Sequence, residues 1–168
     1  MEKYHIDTDR IYVIGHSMGG FISLYLTAME EGIAGTIALV PFNFGGMQKF
    51  ILTQAPALQS TFDAAIANGV QWLNTESETM LREVMERRED YDLNTKAEVL
   101  ADKPIYIVTG SKDEVADETL NGKRLYQTIA AFGKGNAAYT SLPSDHSFSD
   151  RRIQLIRLIA DRLDFWLS

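Results

Sequence analysis

Apolar residues in this chain alternate between short unbroken runs and longer stretches where they recur every three or four positions, the pattern of strands alternating with helices. Arg10-Ile-Tyr-Val-Ile-Gly15 is a β-rich run ending at glycine and reads as a buried parallel strand. Phe21, Leu24, Leu26 and Met29 follow at helical spacing, predicting a helix over Gly19–Met29 that stops near Gly32. Thr36–Val40 is a second buried strand ended by Pro41, and Pro104–Thr109 a third, again ending in glycine. A helix over Thr119–Phe132 stops at Gly133, and Ala137–Leu142 is a weaker fourth strand closed by Pro143. In the last helix, Asp150–Leu167, the residues Ile153, Ile156, Ile159, Leu163 and Trp166 form one stripe with Arg and Asp opposite.

Four strands alternating with helices predict an α/β protein, with a parallel sheet of about four strands and helices on its faces. Between the second and third strands lies a helical insert over residues 45–100, which would cap one end of the sheet; the core is then 1–44 and 101–168. Thr75-Glu-Ser-Glu78 has capping-box spacing and predicts a helix start before Met80, Leu81, Val84 and Met85. The run Glu86–Asp90 reads as the solvated end of that helix.

Composition narrows the function. The 168 residues are 45% hydrophobic and 23% charged, ordinary for a globular domain with its own core. A net charge of -7 argues against nucleic acid or an anionic membrane as partner. The densest basic group, Arg151, Arg152, Arg157 and Arg162, reads as a solvated helix face. With no cysteine, disulfides, thiolate metal sites and a cysteine nucleophile are excluded. Three histidines without ligand spacing suggest no metal, and no cofactor loop is present: Gly45-Gly46 lacks the Lys and Ser/Thr of a phosphate loop and reads as loop flexibility. With no signal-like start and no membrane-length apolar run, a soluble, cytoplasmic protein is expected.

The chemistry concentrates at Gly15-His-Ser17-Met-Gly19. A strand runs into this G-x-S-x-G sequence and a helix runs out of it, the setting a nucleophile elbow requires. The turn is expected to strain Ser17, to leave almost no room for side chains at the flanking glycines, and to lift the hydroxyl to the carboxyl end of the sheet. There the helix N-terminus favours an oxyanion, with the N–H of Met18 as one donor. A serine needs a base. His5 precedes the first strand and reads as a surface residue; His16 adjoins Ser17 and points elsewhere, in a packing or supporting role. His146, in Leu142-Pro-Ser-Asp-His-Ser-Phe148, returns to the sheet end that holds Ser17 and is the base. Gly110-Ser-Lys-Asp113 follows the third strand and offers Asp113 as a candidate acid behind the base, with Glu114 and Asp117 as alternatives and Asp145 ordering its own loop.

Asp9-Arg-Ile-Tyr-Val-Ile-Gly-His-Ser-Met-Gly-Gly20 resembles the α/β-hydrolase superfamily, in its esterase and prolyl-oligopeptidase-like branches. The histidine loop and the acid loop are similar to that family's as well. The resemblance implies the order Ser, acid, His, and covers the chain outside the insert as half of an α/β-hydrolase fold. In the family, strands before the nucleophile strand supply the rest of the sheet and a second oxyanion N–H; about ten residues precede the strand here, and nothing in this chain matches that loop. The Ile11–Ile14 strand is apolar on both faces, so it is expected to be covered, by a second copy or by the missing N-terminal half. The implied function is a serine hydrolase cleaving small carboxylic esters through an acyl-enzyme on Ser17. The alternatives are a peptidase or amidase acting on short acyl-peptides, or a subunit module with little activity alone.

Overall fold

The structure is a computed structural model that describes residues 7–71 and 73–168; His5 lies outside them. The chain divides into two compact units, one of residues 1–42 and 96–168, the other Asn43–Thr95, against 45–100 from the sequence pattern.

The first unit holds the sheet. Strands β1 (Ile11–His16), β2 (Ile33–Leu39), β3 (Ile105–Gly110) and β4 (Ala137–Leu142) are all parallel, in the order β1-β2-β3-β4. Successive side chains alternate between the two faces, so register sorts them. Ile14, Ile37, Tyr106 and Ala138 form one row across the sheet, and Gly15, Ala38, Ile107 and Tyr139 form the next row on the opposite face. Helix α1 (Met18–Met29) packs close against Gly15 on that second face, and Tyr126 of α6 (Gly122–Ala130) stacks on Tyr139. The first face carries the main cluster, in which Ile37, Leu39, Tyr106, Val108, Leu142 and Phe148 are buried. It is covered by the last helix of the unit, Arg152–Leu167, numbered α7 after the helices of the second unit are counted. The short helix α5 (Ala97–Ala101) precedes β3.

β2 and β3 read clearly because buried parallel strands show as continuous apolar runs, whereas β1, expected to be buried, is an edge strand among the described residues, with Ile11 and Ile14 42% and 47% exposed. The helices differ from expectation in two informative places. On α7 the side chains packed on the core are Leu155, Leu158, Ile159, Leu163 and Trp166, whereas Ile153 and Ile156 stand 71% and 64% exposed. Three- and four-residue spacing fits two faces of this helix, and the sheet takes only one. Arg162 likewise leaves the solvated face, with its guanidinium 4.5 Å over the Tyr106 ring. Next, α6 starts at Gly122 rather than Thr119, because Asp117 Oδ1 accepts the N–H groups of Thr119 and Leu120 and holds that stretch as a turn.

The second unit is helical: α2 (Phe44–Gln54), a 3₁₀ turn, α3 (Gln59–Val70) and α4 (Ser77–Glu86). Among the described residues Phe44, Met47, Ile51, Phe62, Ile66, Val70, Val84 and Leu93 are its buried apolar residues. Gly45-Gly46 is not a flexible loop. It opens α2, where a Cβ on Gly45 would lie 2.1 Å from the Arg88 carbonyl oxygen, so glycine is needed for close backbone approach. Asn43 caps α2 through Gly46 N–H and ties it to Leu93 N–H and Asp92. The capping box at Thr75 does not form: Glu76 is the residue at the start of α4, with no side-chain cap.

Candidate active site

Ser17 stands between β1 and α1 with φ 56° and ψ -119°, a conformation that L-residues rarely adopt. Two contacts impose it: Ser17 N–H donates to the Leu39 carbonyl of β2, and its own carbonyl accepts Phe21 N–H as α1 begins. Gly15 makes the turn possible, since a Cβ there would meet the Gly19 carbonyl oxygen at 2.0 Å. Gly20 is less tight: a Cβ there would lie 3.2 Å from three backbone atoms, a crowding that a small shift would relieve. Gly19 departs from expectation: nothing lies within 4 Å of where its Cβ would be, so no steric demand requires glycine at that position. Met18 is the first residue of α1, and first-turn N–H groups have no acceptor within their own helix.

The structure brings Ser17, His146 and Asp113 together. His146 Nδ1 lies 2.7 Å from Asp113 Oδ2, and His146 Nε2 lies 2.9 Å from Ser17 Oγ. An ionised carboxylate only accepts, so Nδ1 carries the proton and Nε2 presents its lone pair to the Ser17 hydroxyl, which donates to it. Asp113 uses its other oxygen, Oδ1, to accept the N–H groups of Val115 and Ala116, each at 2.8 Å. Burial of Asp113 acts to raise its carboxyl pKa, but the hydrogen bonds from His146, Ala116 and Val115 outweigh it and hold the group below the usual aspartate value. The Asp113 side chain is fully buried, while His146 is 20% exposed and open to a substrate.

The acid and histidine loops are laced together. Lys112 N–H donates to the Ser144 carbonyl, and Ser111 N–H to that of Leu142. Gly110 permits this approach, since a Cβ there would come within 2.6 Å of the Ser144 carbonyl oxygen. Asp145 accepts Ser147 and Ser149 N–H and orders the loop behind His146, while Asp117 caps the turn before α6. Among the described residues the carboxylate bonded to His146 is Asp113, rather than Glu114 or Asp117.

Two features were missed from sequence, and a third, His16, has the supporting role expected of it through a partner the sequence does not show. His16 does more than pack: its Nε2–H donates to the His146 carbonyl at 2.7 Å, and its ring stands edge-on to those of His146 and Phe148. Val40 and Phe148 join Ser17 at positive φ, so strain gathers at the carboxyl ends of β1, β2 and β4. Glu118 accepts Thr109, Tyr139 and Ser141 hydroxyls and braces the ends of β3 and β4. None of these has a local sequence signal. His16 is a positioning residue for His146. Losing one hydrogen bond of about 1 kcal/mol, His16→Ala should lower kcat about fivefold with KM unchanged, and His16→Gln, which keeps a donor, should recover part of it.

Among the described residues no group of three His, Cys, Asp or Glu side chains could hold a metal ion, and no helix is long and apolar enough to cross a membrane. By sequence, the chain matches no protein-family model and no curated protein. By structure it resembles an esterase of Pyrococcus furiosus, at 15% identity and a TM-score of 0.61 over 95% of this chain and 55% of that one. It also resembles an acylaminoacyl peptidase of Pyrococcus horikoshii, at 13% identity and 0.65 over 94% and 24%. A monoacylglycerol lipase of Paleococcus ferrophilus follows at 14% identity and 0.61, over 91% and 67%. All three are α/β-hydrolases, and the fold of this chain is part of an α/β-hydrolase fold. The chain spans about half of the esterase and a quarter of the peptidase.

Proposed function

We propose that this chain carries the nucleophile, base and acid of a serine hydrolase, with small carboxylic esters as substrates. The observation that supports it is the His146 ring, hydrogen-bonded to Asp113 on one side and to Ser17 on the other. As Ser17 Oγ attacks the acyl carbon, His146 Nε2 takes the hydroxyl proton, and Asp113 steadies the resulting imidazolium. The carbonyl oxygen becomes an oxyanion facing Met18 N–H at the start of α1. Collapse breaks the bond to the alkoxy oxygen, which leaves as the alcohol after receiving the proton from Nε2. Water then repeats the sequence on the acyl-enzyme, returning Ser17 and the free acid.

The Met18 N–H is the oxyanion donor this reading assigns, and one such donor is worth about two to three orders of magnitude in rate. Esters are favoured over amides, because an amide carbonyl is more strongly stabilised by resonance and its nitrogen must be protonated before it can leave. Matched assays with a p-nitrophenyl ester and an aminoacyl p-nitroanilide test the reading. Slow but measurable ester turnover, with the anilide untouched, is expected. Preferential cleavage of the anilide would move the assignment to a peptidase, and inertness to both in folded protein would make the chain a module without activity of its own.

A further inference from the structure

The loop that carries Asp113 leaves β3 at Gly110 and closes back on the strand residue just before it. Gly122, the first residue of α6, passes over Thr109: a Cβ there would lie 2.6 Å from Thr109 Cγ2. Four residues earlier, Glu118 folds onto the same part of the sheet. Its single oxygen Oε2 accepts the hydroxyls of Thr109 at 2.9 Å, Tyr139 at 3.0 Å and Ser141 at 2.5 Å. Thr109 and Ser141 are cross-strand partners, and Tyr139 stands two positions before Ser141, so all three share one face of the sheet. Burial acts to raise the Glu118 carboxyl pKa, but the hydrogen bonds from Ser141, Thr109 and Tyr139 outweigh it and hold the group below the usual glutamate value. Glu118 is therefore ionised at neutral pH and can only accept.

The three hydroxyls stand at the roots of two loops. Thr109 precedes Gly110, where the acid loop begins, and Ser141 precedes Leu142, where the histidine loop begins. Glu118 belongs to the acid loop itself, two residues beyond Ala116. The N–H groups of Val115 and Ala116 hold Asp113 Oδ1, and so set how the carboxylate turns Oδ2 toward His146 Nδ1. We infer that Glu118 is the positioning residue that sets the Asp113–His146 contact, an assignment that rests on the proposed roles of Ser17, His146 and Asp113. It touches neither of those two side chains and acts through the backbone at 115–116. A carboxylate suits this task, because hydrogen bonds to a charged acceptor are roughly twice as strong as neutral ones and three of them meet on one atom. The same two strands carry a comparable bond on their other face, where the Tyr106 hydroxyl donates to Thr140 Oγ1 at 2.8 Å. That bond ties β3 to β4 without reaching the acid loop, so it separates bracing of the sheet from positioning of the acid.

Proton NMR of the whole chain tests this, because a proton held between an imidazole and a carboxylate resonates far downfield. The downfield signal that Asp113→Asn abolishes is that of His146. Glu118→Ala, checked for folding by circular dichroism, should lose this signal. It should also lower kcat for a p-nitrophenyl ester about a hundredfold with KM changed less than about twofold, the effect of a displaced catalytic group. Glu118→Gln keeps an acceptor oxygen at the same reach, so it should retain the signal and stay within about fivefold of the parent. Tyr106→Phe should leave both signal and kcat unchanged. Should Glu118→Ala fail to fold, Ser141→Ala combined with Tyr139→Phe removes two of the three donors and decides in the same way. A folded variant that keeps the signal would overturn the inference, whatever its kcat, and so would a Tyr106→Phe variant that loses it equally. A parent without the signal would overturn it as well. A parent that shows the signal but turns over no ester would sink the hydrolase reading alone, and the signal in the Glu118 variants would still decide the role of Glu118.

Discussion

Ser17→Ala should take ester turnover to the background rate, a loss of about a thousandfold or more, and His146→Ala should do nearly the same. The double variant should be no worse than either single one. Ser17 Oγ and His146 Nε2 are 2.9 Å apart and share one proton transfer, so removing either partner removes the step. Two independent contributions would multiply instead. Both side chains belong to loops at the carboxyl end of the sheet, and Leu39 and Leu142 at the neighbouring strand ends, 7% and 3% exposed, should stay packed in either variant. Unfolding temperatures of the three variants close to that of the parent would show that the chemistry, not the fold, was lost.

Asp113→Asn should remove most of kcat, though no more than Ser17→Ala does, because an amide in place of the carboxylate no longer holds the Nδ1 proton and leaves His146 in the wrong tautomer. This change also has a pH signature. The Asp113 carboxyl is held below its unfolded value by His146, Ala116 and Val115 against the opposing effect of burial. A lowered folded pKa means that its contribution to stability is complete above the unfolded value near 3.8 and disappears as pH falls through the folded value. Asp113→Asn should therefore be less stable than the parent at neutral pH, and the gap between them should narrow on acidification below about pH 4. Urea midpoints at pH 7 and near pH 3 would read this difference, and a gap that stays constant would show that Asp113 is not ionised and paired in the fold.

The elements that hold the site were legible where the signal was local. β4 has the bounds that its flanking proline and apolar pattern predict, and the strand–turn–helix around Ser17 is readable from the apolar runs on either side of the glycine–serine turn. What was not legible depends on contacts distant in sequence. Gly110 reads as a strand end, yet its lack of a side chain matters because the Ser144 carbonyl passes beside it. His16 reads as a neighbour of the nucleophile, while its hydrogen bond is to residue 146. β2 begins at Ile33, earlier than expected, because Gly35 is tolerated where it pairs with Tyr12 and a Cβ would crowd the Pro104 carbonyl. On α7, periodicity alone could not separate the face that packs on the sheet from the exposed positions of Ile153 and Ile156.

The central claim is that Ser17 is an activated nucleophile, and reaction with a fluorophosphonate tests it without dependence on the substrate or on fast turnover. Incubation of the folded protein should add one phosphonyl group per chain by intact mass, and peptide mapping should place it on Ser17. Ser17→Ala should remain unmodified, and His146→Ala should react far more slowly than the parent. Labelling that persists unchanged in Ser17→Ala, or folded parent protein that takes up no probe at all, would contradict the account.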